Sequence, residues 1–231
     1  MKKLAILLLQ VLCIIPAFAQ VQDDANTNIK ITRQGFGQYR GIVMPVDFEN
    51  ASLRTEGSGY YFDNWNNQGI VFIKDKGKVK IKNVNINLYD NKLEALFDDK
   101  KNVFTFDSEN VVKIVIDDKV FRTFEMDKEL RILELFYQDN ISIYKDYNVS
   151  YSEASPNPML SRKSNKYIKR EKYYLYDDGQ LSLLKMTRKS LSKLLESDDM
   201  SHESILEFIK ANNLSLKEED DLIRVFDFVN K

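Results

Sequence analysis

Residues 69–97, GIVFIKDKGKVKIKNVNINLYDNKLEALF, decide the fold class of this chain. Short runs of branched and aromatic apolar residues alternate there with clusters of Asp, Asn, Lys and Gly, and the same pattern continues to residue 151. This spacing predicts a meander of about seven or eight short antiparallel strands. Such a set of strands is typical of a sandwich or a small, partly open barrel.

The alternation of apolar side chains slips by one residue near Asn83. Val79 and Ile81 share one phase before it, whereas Val84 and Ile86 share the other phase after it. Strand side chains alternate with a period of two, so a slip of one residue turns the pattern to the other face. We therefore expect a bulge or a tight bend at this point.

Turn residues separate the other predicted strands. Asp90-Asn91 predicts a tight hairpin, because both residues tolerate the positive φ that two-residue turns require. Asp178-Gly179 is the strongest hairpin signal in the chain and joins predicted strands at 172–176 and 180–186. Between these regions, residues 152–170 are polar and contain two prolines, which predicts a long surface loop.

Three amphipathic helices are expected at the end of the chain. Thr187 and Ser201 are predicted N-caps, and residues 215–218, SLKE, fit a capping box. The fold class that follows is mainly β, with residues 29–186 as an antiparallel β domain. Residues 187–231 are expected to form a C-terminal three-helix cap packed on that domain.

Residues 1–19 have the features of a secretory signal peptide. A cationic start precedes an apolar run, and the small-residue pattern Ala-Phe-Ala ends at residue 19, where cleavage is expected. The run is too short to span a bilayer, which needs about 20 residues. Lipidation at Cys13 is the alternative, but Leu12 stands where a lipidation site needs a small residue.

Cleavage is expected to leave a chain in the periplasm or outside the cell, with residues 20–28 as a flexible tail. The formal net charge of −1 includes two leader lysines, so the mature chain carries −3 and has no global attraction for nucleic acid. The leader also contains the only cysteine, so burial must stabilise the mature fold. No later apolar run has membrane-spanning length.

Besides the leader, four short stretches bear on the family of this chain. They are residues 62–65, FDNW; residues 87–90, NLYD; residues 172–175, KYYL; and residues 217–222, KEEDDL. Together they resemble a group of uncharacterised exported proteins of the Bacteroidota, over most of the mature chain. The resemblance implies bacterial export, and it implies no activity, cofactor or site residue.

The inventory of reactive side chains argues against most catalytic chemistry. Beyond the leader the chain has no cysteine, its one histidine is His202, and it has no Gly-x-Ser-x-Gly elbow. A zinc site normally needs several His and Cys ligands, so we expect no metal, no cofactor and no catalytic residue. His202 is expected to be a solvated residue at the start of a helix.

Paired carboxylates leave a glycoside hydrolase possible, because two carboxylates suffice to hydrolyse a glycoside. The visible pairs are at 98–99, 117–118, 177–178 and 198–199. All of them fall at predicted turns or loops, where Asp is favoured for backbone reasons, and we interpret them as structural.

Residues 60–68 form the first candidate site, because they combine aromatic rings with carboxylate and amide groups. Such rings can stack on the flat face of a glycan while the polar groups bind its hydroxyls. The alternative is that the rings plug an open end of the sheet and the amides form turns. The candidate ligand-binding residues are Tyr61, Phe62, Asp63, Asn64, Trp65 and Asn66.

A cationic run in the predicted loop at 152–170 is the second candidate site. Outside the cytoplasm, such a run favours lipid phosphates or an acidic protein over RNA, and the alternative is a solvated loop. The candidate residues for an anionic partner are Arg162, Lys163, Lys166, Lys169 and Arg170.

These features predict a non-enzymatic exported envelope protein that acts by protein–protein contact. The alternative is a periplasmic or secreted binding module for a glycan or a lipid. A carboxylate-based hydrolase is the third possibility.

Overall fold

A computed structural model describes residues 36–45, 55–155, 164–197 and 200–230 of the chain. The predicted leader, the tail at 20–28 and the start of the β domain at 29–35 lie outside the described residues, as do Arg162 and Lys163.

The described residues form two β-sheets followed by three helices, so the predicted mainly β fold with a C-terminal helical cap is confirmed. The strands are β1 Gly41–Pro45, β2 Thr55–Glu56, β3 Gln68–Ile73, β4 Gly77–Lys82, β5 Val84–Asn87, β6 Lys92–Leu96, β7 Asn102–Phe106, β8 Val111–Ile116, β9 Lys119–Met126, β10 Glu129–Gln138, β11 Ser142–Ser152, β12 Asn165–Asp177 and β13 Gln180–Leu184. The helices are α1 Arg188–Leu194, α2 His202–Ala211 and α3 Glu219–Val229.

The small sheet has four strands in the order β1-β7-β6-β5. The large sheet has nine strands, in the order β13-β12-β11-β10-β9-β8-β3-β4, with β2 pairing in parallel with β12. Neither sheet closes into a barrel. The chain passes from the large sheet to the small one at Asn83, whose φ is +52°, so the slip in alternation marks a tight bend between two sheets.

A first core fills the space between the small sheet and one half of the large sheet. Val71, Ile114 and Phe121 on the large sheet face Ile86 and other apolar residues of the small sheet, and all of them are buried. Phe36 joins this core by stacking on Phe104, with ring centroids 4.5 Å apart. We call the face of the large sheet that carries this core the inner face.

A second core lies between the other half of the inner face and the three helices. Ile143 and Tyr173 from the strands pack there with Leu191 of α1, Ile205 of α2 and Phe226 of α3. The helices therefore cover the part of the inner face that the small sheet leaves uncovered. None of the helices in the described residues has the length and the apolar composition that a membrane crossing requires.

Several local predictions are confirmed. Asp178 and Gly179 both have positive φ in the turn between β12 and β13, as a two-residue hairpin of this type requires. Thr187 and Ser201 cap α1 and α2, and each accepts a hydrogen bond from the backbone N–H three residues later. His202 begins α2 as predicted, but it is half-buried and its Nδ1 lies 2.9 Å from the Ser192 hydroxyl oxygen.

Two local predictions are wrong. Residues 165–170 of the loop expected at 152–170 are instead part of β12, which begins at Asn165 and pairs with β11 over eleven residues. Long cross-strand pairing, rather than local apolar pattern, makes this segment a strand. The capping box at 215–218 does not form, since α3 begins at Glu219, and Asp221 instead accepts a hydrogen bond from the Ser215 backbone N–H.

Candidate functional site

The candidate loop at residues 60–68 lies along the edge of β5 and is attached to it by amide side chains. Asn85, which is 1% exposed, accepts a hydrogen bond from the Phe62 N–H at 3.1 Å and donates to the Phe62 carbonyl at 2.9 Å. Asn67 donates to the carbonyls of Asn64 and Val84 at 2.8 and 3.1 Å. The loop conformation is therefore held by buried hydrogen bonds.

The aromatic rings of this loop mainly contact other rings of the protein. Tyr61 packs edge-on against Phe121 and Tyr147, with centroids 5.0 and 5.4 Å away, and also against Phe62. Both Tyr61 and Phe62 pack against the first core. Trp65 is half-buried with its ring edge-on to Tyr60.

The polar side chains of the loop remain on the surface. Asp63, Asn64 and Asn66 are exposed, and the Asn64 side-chain oxygen accepts a hydrogen bond from the Asn66 N–H at 2.9 Å. The structure thus separates the rings from the amides, and the geometry favours the packing role over stacking on a ligand.

We expect Asn85→Ala to lower the free energy of unfolding by about 2 kcal/mol, because it leaves the Phe62 N–H and the Phe62 carbonyl without their side-chain partner. Urea denaturation measures the change. Asn66→Ala, at an exposed position of the same loop, is the matched control and should change stability by less than about 0.5 kcal/mol. Equal stability of the two variants would contradict the role of Asn85.

A buried carboxylate lies beneath the loop. Glu94 is 3% exposed, and its carboxylate oxygens accept hydrogen bonds from the Tyr60 hydroxyl at 2.9 Å, the Asn87 amide at 3.2 Å and the Thr105 hydroxyl at 3.4 Å. Burial raises the pKa of Glu94, while these donors oppose the rise. All three donors come from the protein itself, so the arrangement favours a structural role.

A second polar cluster crosses the inner face between the two cores. Lys145 and Glu134 are directly opposite each other on β11 and β10, and each is 3% exposed. Lys145 forms ion pairs with Glu219 of α3 and with Glu171 of β12. The rings of Phe136, Tyr147 and Tyr173 lie 5.0 to 5.5 Å from the Lys145 ammonium, and these form its cation–π environment.

The carboxylate of Glu134 is equally well partnered. The Tyr147 hydroxyl donates a hydrogen bond to it, and the Lys119 ammonium lies 3.2 Å from it. Burial, followed by the hydrogen bond and the charge of Glu134, raises the pKa of Tyr147. In the described part of the chain, no group of three or more His, Cys, Asp or Glu is placed to share a metal ion. The cluster connects the sheet to α3 by charge and hydrogen bonding.

Cationic side chains gather on the outer face of the large sheet, opposite the two cores. Strand pairing places nine lysines and arginines on this face among the described residues, against three acidic side chains, Glu56, Glu129 and Asp146. We call these nine residues the basic face. They are Lys78, Lys80 and Lys82 on β4, Lys113 on β8, Arg122 on β9, Arg131 on β10, and Lys166, Arg170 and Lys172 on β12.

The basic face also carries apolar and aromatic surface. Ile70 and Leu183 are 37% and 46% exposed at its two ends. In the middle, the guanidinium of Arg122 lies 5.4 Å from the ring centroid of Phe124 and 5.8 Å from that of Tyr176. Of the three acidic groups, Asp146 is buried and forms an ion pair with Arg131 at 2.7 Å.

The predicted cationic run is divided between the two faces. Lys166 and Arg170 are exposed on the basic face, whereas Lys169 is on the inner side, with its ammonium 5.5 Å from the ring centroid of Tyr147. A strand, rather than a loop, explains the division, because alternate residues of a strand point to opposite faces.

Most of the basic face was missed from the sequence. One local signal was present, because Lys78, Lys80 and Lys82 alternate with Val79 and Ile81 in an amphipathic strand pattern. The pattern does not indicate that β4 and β12, which lie far apart in the chain, share one face. That arrangement depends on the order of strands in the sheet.

Comparisons with protein-family models, with curated proteins and with solved structures find no match to this chain.

Proposed function

We propose that this chain is a non-enzymatic exported protein that acts by contact with an acidic partner protein through the basic face. One observation carries the proposal: a chain with a formal net charge of −1 concentrates nine cations on one sheet face. Segregated charge of this kind steers a partner of the opposite charge and suppresses other partners. Export rests on the predicted signal peptide.

The composition of the basic face suits a protein partner. Arginines and aromatic rings are the side chains that most often dominate binding energy in protein interfaces, and the Arg122 guanidinium lies 5.4 and 5.8 Å from the ring centroids of Phe124 and Tyr176. The exposed Ile70 and Leu183 supply apolar area at the ends of the face. The buried carboxylates Glu94 and Glu134 are occupied by partners within the chain, which supports a role in stability rather than catalysis.

A triple charge reversal tests the basic face. Lys80→Glu, Arg170→Glu and Lys172→Glu replace exposed cations and should weaken binding to poly-glutamate, a defined acidic polypeptide, by at least about tenfold at low salt. Binding of the unmodified chain should fall as salt rises, because the charges are exposed and screened. Fluorescence titration of labelled poly-glutamate measures both effects.

The control is a triple reversal elsewhere, at Lys100, Lys193 and Lys210, which are exposed on a turn and on α1 and α2. It changes the net charge equally and should keep the affinity within about twofold. An equal loss of affinity in both triple variants would mean that net charge alone causes the effect. It would contradict binding through the basic face. Binding to phosphatidylglycerol vesicles without binding to poly-glutamate would contradict an acidic protein as the partner and would indicate a lipid surface instead.

A further inference from the structure

A cleft of about 490 Å³ opens beside Tyr89, close to the candidate loop, and its lining includes Arg131 of the basic face. Its walls are the turn between β5 and β6, a short 3-10 helix at Ser108–Asn110 and the turn between β9 and β10. Its volume falls within the range of small-ligand sites in proteins.

Several polar groups of the cleft form hydrogen bonds with other groups of the chain. Asp90 accepts a hydrogen bond from the Asn87 amide at 3.0 Å, and the Lys92 ammonium donates to the Ser108 hydroxyl at 3.2 Å. Asp107 caps the 3-10 helix by accepting from the Glu109 N–H. These contacts fix the shape of the walls.

Three charged side chains in the cleft have no such partner among the described residues. Glu109, Lys128 and Glu129 line it and are exposed, and their side chains form no hydrogen bond or ion pair with the other described residues. They present two acceptors and one donor toward the same space. With Asp90, Asp107, Lys92 and Arg131, the lining comes to four acidic and three basic groups, which favours a ligand without net charge.

Tyr89 supplies an aromatic wall to the same cleft. It is 52% exposed, and its backbone N–H donates to the Gly59 carbonyl at 3.2 Å and to the Asn87 side-chain oxygen at 3.1 Å. Its ring lies edge-on to Tyr167, with centroids 6.1 Å apart. A ring that is exposed and yet held in place offers a flat apolar surface at little cost in conformational entropy.

We propose that this cleft binds an uncharged mono- or disaccharide. A sugar ring has an apolar face of C–H groups that suits the ring of Tyr89, and a rim of hydroxyls that pairs with Glu109, Lys128 and Glu129. The combination of ring and polar groups that was predicted for residues 60–68 thus occurs in the neighbouring hairpin. Arg131 belongs both to the lining of this site and to the basic face, but the proposed sugar site does not depend on the proposed partner.

Saturation-transfer difference NMR of the full mature chain tests the site, with methyl β-glucoside, methyl β-galactoside, methyl α-mannoside, N-acetylglucosamine and cellobiose as probes. We expect at least one of them to bind with a dissociation constant of about 1 mM or lower, with the strongest transfer to its ring C–H protons. Tyr89→Ala should weaken that binding by at least about tenfold, whereas Tyr89→Phe should retain it.

Leu183→Ala, at an exposed position on the outer face of the large sheet, is the control and should bind the sugar as the unmodified chain does. Far-UV circular dichroism shows that each variant is folded. Absence of transfer to every probe would overturn the proposal, as would unchanged binding by a folded Tyr89→Ala variant. Binding of poly-glutamate should be the same for Tyr89→Ala and the unmodified chain, so failure of this site is distinguishable from failure of the basic face.

Discussion

Raising the pH above about 10 is expected to unfold this protein cooperatively. Tyr147 and Tyr173 are 8% and 7% exposed, and burial raises the pKa of both phenols. Neighbouring carboxylates raise the pKa values further, from Glu134 beside Tyr147 and from Glu219 and Glu171 beside Tyr173. Both phenols therefore stay protonated in the folded state when an exposed tyrosine ionises.

The sign of the effect follows from proton binding. Above about pH 10 the unfolded chain loses its phenolic protons while the folded chain keeps them, so the unfolded state is favoured as the pH rises. Each such tyrosine lowers the free energy of unfolding by about 1.4 kcal/mol per pH unit, and the two together by about 2.7. Below about pH 10 their contribution is fully present and constant. Native domains have only about 5–15 kcal/mol of stability, so two pH units remove a large part of it.

Circular dichroism and phenolate absorbance, followed together from about pH 9 to 12 at constant ionic strength, measure this transition. The absorbance of the buried phenolates should appear only as the circular dichroism signal is lost. Tyr147→Phe removes one titrating group and should reduce the pH slope of stability by about 1.4 kcal/mol per unit. Ionisation of all the tyrosines near pH 10 with the fold intact would contradict the prediction.

Phe226→Ala is expected to lower the free energy of unfolding by about 3–5 kcal/mol, because it leaves a large cavity between α3 and the sheet. Phe226 is completely buried, and its ring centroid lies 5.4 Å from that of Tyr137 and 6.4 Å from that of Phe136. Urea denaturation followed by circular dichroism measures the loss.

Arg224→Ala on the same helix is the matched control. The Arg224 side chain is 51% exposed and, among the described residues, forms an ion pair only with Asp221 on the surface, so its loss should cost less than about 0.5 kcal/mol. A loss below about 1 kcal/mol for Phe226→Ala would mean that the helices contribute little to the stability of the sheet.

Local sequence signals were sufficient for most of the secondary structure. The slip at Asn83 indicated the bend, because side-chain direction in a strand is a property of consecutive residues. Asp178-Gly179 indicated the hairpin because both residue types tolerate positive φ angles, which they have in the structure. Thr187 and Ser201 indicated helix starts because capping satisfies backbone groups within three residues. Such signals act over a few residues and can be recognised without the tertiary fold.

Tertiary structure alone decided which residues became buried, exposed or brought together. Lys145 and Glu134 are buried because α3 and the neighbouring strands provide their partners, and no local pattern predicts a buried lysine. Lys169 and Arg170 are adjacent in sequence but on opposite faces, since β12 pairs with β11. The basic face and the cleft beside Tyr89 combine residues from distant strands and turns. Alternation along a strand is local, but the face that becomes the core depends on long-range pairing and packing.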